Sequence, residues 1–137
     1  MKRFAILFLV AGSLMAQGVK WETSLAAAQA RAQAEHKLIF LDVWTEWCGW
    51  CIKLQRDTFP SGPGQAALAR VVPLSLMTQF KDGKPTGNKS IEAQFNIEGF
   101  PALFLLDAKG KVVSNQPGYL PPKEFAGWIN GVVDQKR

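Results

Sequence analysis

The sequence predicts one α/β domain whose central sheet mixes parallel and antiparallel strands and carries helices on both faces. Residues 38–43 are apolar at nearly every position, which is typical of a central strand buried on both sides. A helical segment separates them from a second strand at residues 71–77, and such a unit makes parallel strands with a right-handed crossover. The apolar strand 102–106, the turn 107–110 and a returning strand at 111–114 then add an antiparallel hairpin.

The helices of the first half have recognisable ends. Thr23 or Ser24 is suited to cap a first helix that runs through an alanine-rich stretch to about His36. A second helix is expected from near Cys48 to about Asp57. The chain therefore begins with the order helix, strand, helix.

Helix-breaking residues and hydrophobic periodicity predict the elements of the rest of the chain. Prolines and glycines at residues 60–64 end the second helix, and residues 65–70 can add a short further turn. Pro73 weakens the second strand or places a distortion in it. Residues 81–89 read as a polar loop and 90–95 as a short helix. The closing helix has apolar residues at spacings i, i+3, i+4, i+7 and i+8, which are Phe125, Trp128, Ile129, Val132 and Val133.

Composition excludes several classes of protein. The 137 residues are 47% hydrophobic and 20% charged, an ordinary balance for one globular domain. Two cysteines are too few for a disulfide scaffold or a four-cysteine zinc site. The net charge of +5 comes from scattered basic residues, and nucleic-acid binding needs them clustered, so no nucleic-acid partner is predicted.

The first residues have the layout of a secretory signal peptide. Lys2 and Arg3 precede an uncharged apolar run at residues 4–15, and cleavage after Ala16 or after Gly18 is plausible. An uncleaved anchor is the alternative, but the run is short of the ~20 residues that a membrane-spanning helix needs. We expect a signal peptide at 1–16, a mature domain at 17–137, and a periplasmic or other extracytoplasmic location, which is oxidising or redox-managed.

The cysteines form a Cys-Gly-Trp-Cys motif between the predicted central strand and the second helix. A thiol at a helix start faces unpaired N–H groups and the positive end of the helix dipole, and both stabilise the reactive thiolate. Cys48 is therefore the expected nucleophile. Cys51 lies one turn further along the same face and can resolve a mixed disulfide formed on Cys48.

Other interpretations of the pair are weaker. A zinc site lacks ligands, because the chain has no other cysteine and only His36 as histidine. Haem attachment needs a histidine directly after the second cysteine, where Ile52 stands. A purely structural disulfide remains open but would close a very small loop with little entropy to gain.

Two further segments complete a resemblance to the thioredoxin superfamily. Residues 41–51 resemble its strand and active-site signature, residues 99–102 its cis-proline segment, and Gly118 its glycine loop. The resemblance covers about residues 21–133 and is closest to the exported thioredoxin-7-like group and the C-terminal domain of the reductase DsbD. The stretch 53–59 and the end of the first helix support that subgroup.

The resemblance implies a thioredoxin fold and a set of site residues. Asp42 would lie behind the cysteines and assist proton transfer at the resolving thiol, with burial raising its pKa. A surface position at the strand end is the alternative. Thioredoxins proper carry a lysine on the neighbouring strand, and residues 71–77 have none. The implied substrate-contacting residues are Trp47, Gly49, Trp50, Phe100, Pro101 and Gly118.

Individual members of this set keep alternatives. Phe100 can offer its backbone to an extended substrate or simply pack in the core. Trp47 and Trp50 would form an apolar patch around Cys48. Trp50 stands where oxidising or isomerase-like members have histidine and cannot stabilise a thiolate by charge, which favours a reducing role. Glu46 would oppose thiolate formation if it faced Cys48, or else is a solvated acid.

The sequence therefore predicts an exported thiol–disulfide oxidoreductase, an enzyme that acts on protein dithiols and disulfides with a membrane-borne redox partner. The resemblance implies no metal and no organic cofactor, because the Cys48–Cys51 pair is the redox group, and we expect a monomer. The alternatives are an oxidase or isomerase with the same residues, and a non-enzymatic binding or assembly module that uses the aromatic surface.

Overall fold

The structure, a computed structural model, describes residues 18–136 of the chain. The predicted signal peptide at residues 1–16 lies outside the described residues, so it stays a prediction. Within residues 18–136, no helix has both the length and the apolar character that crossing a membrane requires.

A four-stranded mixed sheet forms the centre of the molecule. Its strands are β1 (Ile39–Thr45), β2 (Val72–Gln79), β3 (Ala102–Leu106) and β4 (Val112–Pro117), in the spatial order β2-β1-β3-β4. β1 pairs in parallel with β2, and the β1–β3 and β3–β4 pairs are antiparallel. The predicted mixed sheet with a central first strand is confirmed.

Helices cover both faces of the sheet, as predicted. They are α1 (Leu25–Glu35), α2 (Gly49–Lys53) continuing into a π-helical turn (Leu54–Thr58), α3 (Gly62–Leu68), α4 (Ser90–Gln94) and α5 (Pro122–Gln135). Buried residues of α1 and α4 pack on one face, and those of the π-helical turn, α3 and α5 pack on the other. The Ser24 hydroxyl caps α1 by accepting a hydrogen bond from the Ala27 N–H at 3.2 Å.

Two predicted boundaries are wrong. α3 begins at Gly62 rather than near residue 65, because Ser61 caps it by accepting from the Gly64 N–H at 3.0 Å. Proline is tolerated in a first helical turn, where its missing N–H has no intrahelical role, so Pro63 helps to start α3. β4 continues to Pro117, beyond the predicted end at residue 114.

Pro73 lies on β2, which is an edge strand and therefore tolerates proline. The segment before α1 runs alongside this edge. The Glu22 N–H donates to the Pro73 carbonyl at 2.8 Å, and the Ser75 N–H donates to the Glu22 carbonyl at 3.0 Å. The outer edge of β2 is thus partly covered, and Trp21 is placed against the rings of Phe40 and Phe59.

The alternation of side chains along β1 decides which residues face α2. Ile39, Leu41 and Val43 belong to the cluster under α1 and α4, and Phe40 belongs to the cluster under the π-helical turn, α3 and α5. Because strand side chains alternate, Asp42 shares the face of Phe40. The carboxyl group therefore lies on the sheet face that the cysteine-bearing helix covers.

Candidate active site

The two cysteines lie at the start of α2, shortly after the end of β1. Cys48 is the N-cap residue of α2 and Cys51 lies in its first turn. They are joined by a disulfide bond, with their Cα atoms 5.3 Å apart. Cys48 is 5% exposed and Cys51 is 1% exposed. Both cysteines are thus buried, and Cys48 is slightly the more accessible of the pair.

A backbone hydrogen bond already reaches the sulfur of Cys48. The Cys51 N–H donates to Cys48 Sγ at 3.2 Å. This N–H is one of the donors that a helix start leaves without a backbone partner. When the disulfide is reduced, the same donor and the helix dipole favour a thiolate on Cys48.

The far end of the cysteine-bearing helix is tied to the loop that carries Gly118. In the π-helical turn the Phe59 N–H donates to the Leu54 carbonyl at 3.1 Å, a five-residue step. The Thr58 hydroxyl, fully buried, donates to the Leu120 carbonyl at 2.7 Å. π-helical turns are rare and frequently occur at functional sites, and this one ties the cysteine-bearing helix to the loop after Gly118.

Asp42 is buried in the middle of β1, with 1% of its surface exposed. The alternative of a surface position at the strand end is therefore wrong. Its register partners are Ser75 on β2 and Leu103 on β3. Desolvation by burial raises the pKa of this carboxyl group to about 8. β2 contains no lysine, so no cation on that strand offsets the cost of burying the charge.

A cavity of about 410 Å³ adjoins the Asp42 carboxyl group. Its lining is mostly aromatic and polar but uncharged apart from Asp42, and consists of Trp21, Asp42, Trp44, Gln55, Phe59, Pro60, Gln65 and Ser75. The Asp42 Oδ1 atom is buried without a hydrogen-bond partner. Gln55 lies four residues after Cys51 on the same helical segment. The cavity is roomy enough to hold water, and its polar lining side chains Gln55, Gln65 and Ser75 could hydrogen-bond to water there.

The cis-proline segment and the glycine loop meet. The Phe100–Pro101 peptide bond is cis. The Gly118 N–H donates to the Pro101 carbonyl at 2.9 Å, and Gly118 has a φ of 86°, which favours glycine. A groove of about 500 Å³ runs along both segments, between residues 95–104 and 115–118. Phe100 is half-buried, so it both packs on the core and lines this groove.

Exposed aromatic rings flank the disulfide on two sides. Trp47 is 48% exposed and Trp50 is 59% exposed. The Trp47 ring meets Phe100 edge to face with centroids 5.8 Å apart, and the Trp50 ring lies 5.5 Å from that of Tyr119. Gly49, between Cys48 and Trp50, is exposed and has open space above its Cα. The two rings that flank the motif thus contact the cis-proline segment on one side and the residue after Gly118 on the other.

Three contributing residues were not predicted. The Tyr119 ring contacts that of Trp50 in a tilted arrangement, and the Lys53 ammonium group lies 5.4 Å from the centre of the Tyr119 ring. It directly follows Gly118, which is the signal that could have identified it. Gln55 at the Asp42 cavity and Gln79 near Trp47 have no sequence signal, because only tertiary packing brings them to the site.

The Glu46 side chain is exposed but also makes a hydrogen bond within the protein. Its Oε1 atom accepts a hydrogen bond from the Lys81 N–H at 2.9 Å, and its own N–H donates to the Gln79 carbonyl at 3.0 Å. The carboxylate therefore binds the loop after β2, which gives it a structural role that neither alternative from sequence included.

No group of three or more metal-ligating side chains occurs between residues 18 and 136. The only two cysteines of the chain are bonded to each other. The chemistry that the described arrangement can perform without any further group is thiol–disulfide exchange.

Comparison with known proteins agrees with this chemistry. Residues 25–132 match a family described as a thioredoxin-like domain. The chain is 30% identical over 114 residues to the disulfide bond reductase DsbH of Chlamydia pneumoniae, covering 79% of this chain and 68% of that protein.

A second relative is much longer than this chain. The thiol:disulfide interchange protein DsbD of Actinobacillus pleuropneumoniae serotype 5b (strain L20) is 31% identical over 111 residues. The match covers 78% of this chain but only 18% of that protein, so the chain spans less than a fifth of the DsbD relative.

Among solved structures, the chain is similar to a thioredoxin from Thermus thermophilus. The TM-score is 0.71 with 21% sequence identity, and the superposition covers 85% of this chain and 88% of the other. This likeness concerns the fold: the same arrangement of a mixed sheet and flanking helices.

Proposed function

Since the chain belongs to the thioredoxin-like family and is a thiol–disulfide oxidoreductase, we propose that it is exported and reduces disulfides of protein substrates. The position of Cys48 carries this proposal, because its Sγ atom accepts the Cys51 N–H at the start of α2. The charged start and apolar run of residues 2–15 support export. The names of the DsbH and DsbD relatives support reduction and interchange of disulfides.

The proposed reaction is a pair of thiol–disulfide exchanges. In the reduced protein the Cys48 thiolate attacks one sulfur of a substrate disulfide, which breaks that bond and forms a mixed disulfide. The substrate sulfur that leaves takes up a proton. The Cys51 thiolate then attacks Cys48 Sγ, and the second substrate thiol is released. The substrate gains two electrons, and the Cys48–Cys51 pair ends oxidised, the state seen in the structure.

A membrane-borne redox partner would return the pair to its dithiol form. DsbD, the relative named a thiol:disulfide interchange protein, matches this chain over less than a fifth of its own length. We propose that this chain works with a partner of that type, which would supply two electrons per cycle. No metal or organic cofactor is needed in this scheme, because both steps exchange sulfur–sulfur bonds.

The direction of electron flow can be measured directly. We expect a reduction potential near the ~ −270 mV of thioredoxin, because Trp50 places no positive charge beside Cys48 that would stabilise its thiolate. Equilibration with glutathione mixtures, followed by tryptophan fluorescence, gives the value. A potential near the ~ −120 mV of a strong oxidant would contradict the reducing role.

Asp42 is the proposed base for the resolving thiol. It lies on the sheet face covered by the cysteine-bearing helix, and the cavity lined by Gln55 adjoins its carboxyl group. A pKa of about 8 places its proton exchange within the pH range where a thiol titrates. Asp42 would accept the proton of Cys51 as this thiol attacks, and the cavity would let water carry the proton away.

Replacing Asp42 with asparagine is expected to slow resolution of the mixed disulfide by roughly 100-fold near pH 7, because general base catalysis is lost. Stopped-flow release of substrate from a preformed Cys48 mixed disulfide measures this step. Asp57→Asn is the matched control, since Asp57 is a solvent-accessible acid in the π-helical turn and pairs with Lys53 and Arg56. Rates unchanged across about pH 6–9, the thiol range, would refute the role.

Substrate binding is proposed on the surface that surrounds Cys48. An extended segment of the substrate can lie in the groove at Phe100, Pro101 and Gly118 and pair with their backbone in the manner of an added strand. Trp47, Gly49 and Trp50 would contact the same segment where it passes the disulfide. The exposed rings offer apolar area, and the lack of a side chain at Gly49 permits close approach.

A further inference from the structure

We propose that Gln79, the last residue of β2, is a positioning residue for protein substrates because it holds the Trp47 ring in a fixed orientation beside Cys48. This inference rests on the docking role proposed for Trp47. Gln79 would act through a chain of hydrogen bonds that continues to Glu92 and Lys89 at α4, outside the surface that touches substrate.

The chain of hydrogen bonds is continuous. The Trp47 indole N–H donates to Gln79 Oε1 at 3.0 Å. The Gln79 side-chain amide donates to Glu92 Oε1 and Oε2 at 3.1 Å and 3.2 Å. The Lys89 ammonium group lies 2.6 Å from Glu92 Oε2 and 2.8 Å from Oε1. Three separate segments, the loop after β1, the end of β2 and the start of α4, therefore meet at one amide.

Donor and acceptor chemistry allows only one direction for this series of hydrogen bonds. An indole N–H can only donate, a carboxylate can only accept, and an ammonium group can only donate. The Gln79 amide must therefore present its oxygen to Trp47 and its NH₂ group to Glu92. Rotating the amide by half a turn would set two donors against each other and two acceptors against each other.

The carboxylate at the end of the chain is held in its charged form. Desolvation raises the pKa of Glu92, but hydrogen bonds from Lys89 and Gln79 and the charge of Lys89 together bring it below its ordinary value. Glu92 thus remains an acceptor at neutral pH, which keeps the orientation of the Gln79 amide.

Trp47 needs such support because half of its surface is exposed. The hydrogen bond to Gln79 holds the nitrogen edge of the indole, and the edge-to-face contact with Phe100 supports the ring from the cis-proline segment. A side chain already fixed in its binding orientation loses less entropy when a partner binds. A small disulfide needs only the sulfur of Cys48, so its reduction should not depend on this ring.

The test compares a protein disulfide with a small one, using the full chain turned over by dithiothreitol. For Gln79→Leu we expect kcat/KM for insulin to fall roughly 3- to 10-fold through KM. Reduction of bis(2-hydroxyethyl) disulfide should change less than about 2-fold. The indole ¹H–¹⁵N signal of Trp47, assigned by its loss in Trp47→Phe, should move upfield as its hydrogen bond is lost.

Two further variants complete the design. Gln94→Leu removes an exposed glutamine at the end of α4. It is expected to leave the reduction kinetics of both substrates and the indole signal unchanged. Glu92→Gln keeps the shape of the side chain but removes the charge that orients Gln79. It should lower kcat/KM for insulin and move the indole signal upfield, in both cases less than Gln79→Leu does. The Glu92→Gln variant also tests the role of Gln79 if Gln79→Leu does not fold.

If Gln79→Leu slowed the reduction of insulin and of the small disulfide equally, the inference would be overturned, since Gln79 would then support the cysteine pair itself. An unchanged KM for insulin in Gln79→Leu, with a loss in Trp47→Phe, would overturn it while leaving the docking role of Trp47 intact. No effect of Trp47→Phe on insulin would remove the docking role and the inference together.

Discussion

Proteins of the proposed export compartment are expected to accumulate as mixed disulfides on Cys48 when Cys51 is replaced by alanine. The first exchange still occurs, because Cys48 keeps its place at the start of α2. The second exchange cannot occur, because the thiol that attacks Cys48 is gone. Turnover with insulin and dithiothreitol should fall by at least ~10³-fold, as expected when a covalent intermediate can no longer be resolved.

The trapped partners are identified by diagonal electrophoresis and mass spectrometry. The double variant Cys48→Ala, Cys51→Ala is the matched control and should capture nothing, since it has no thiol to form the bond. If Cys51→Ala captured no more protein than this control, the protein-substrate role would be contradicted. Capture of a membrane protein among the partners would identify the proposed electron donor.

The Asp42→Asn variant is expected to change how the stability of the fold depends on pH. The pKa of Asp42 is raised from 3.8 to about 8 by burial. Between these values the unfolded chain releases the proton and the folded chain keeps it, so the free energy of unfolding falls as pH rises. From pH 5 to pH 8 the loss is about 4 kcal/mol at ~1.4 kcal/mol per pH unit. Asparagine does not titrate, so its variant should lack this loss.

Urea unfolding of both oxidised proteins at several pH values between about 5 and 8 measures the effect. The disulfide removes the two thiols from the titration. All other titratable groups are shared, so the difference between the two proteins isolates Asp42. The variant should be more stable than the original chain at pH 8, with the advantage shrinking toward pH 5. Parallel pH profiles would show that Asp42 titrates normally in the folded protein.

The sequence predicted the fold well because each step rested on a local pattern. Residues 38–43 are apolar on both faces, and β1 is indeed the central strand. The boundaries that failed, at α3 and β4, depend on contacts that the pattern does not contain. Whether residues 62–64 end one helix or begin another is decided by the Ser61 hydroxyl, which caps the new helix.

The position of the cysteine pair in the fold was also predicted, for a similar reason. Cys48 and Cys51 are neighbours in sequence, so their place at a helix start follows from the local order of elements. The burial of Asp42 was one of two alternatives, because a strand pattern does not tell whether its end lies under a helix. The structure places that strand face under the cysteine-bearing helix and buries Asp42.

The sequence by itself determined the redox pair, its place between a strand and a helix, and the mixed sheet that carries them. Only the tertiary structure decided which distant residues join the site around the pair: Tyr119 beside Trp50, Gln55 at the Asp42 cavity, and Gln79 against Trp47. The physical reason is that periodicity specifies the face of a residue within its own element. Contacts between elements depend on strand order, helix placement and loop paths, which form only when the whole core packs.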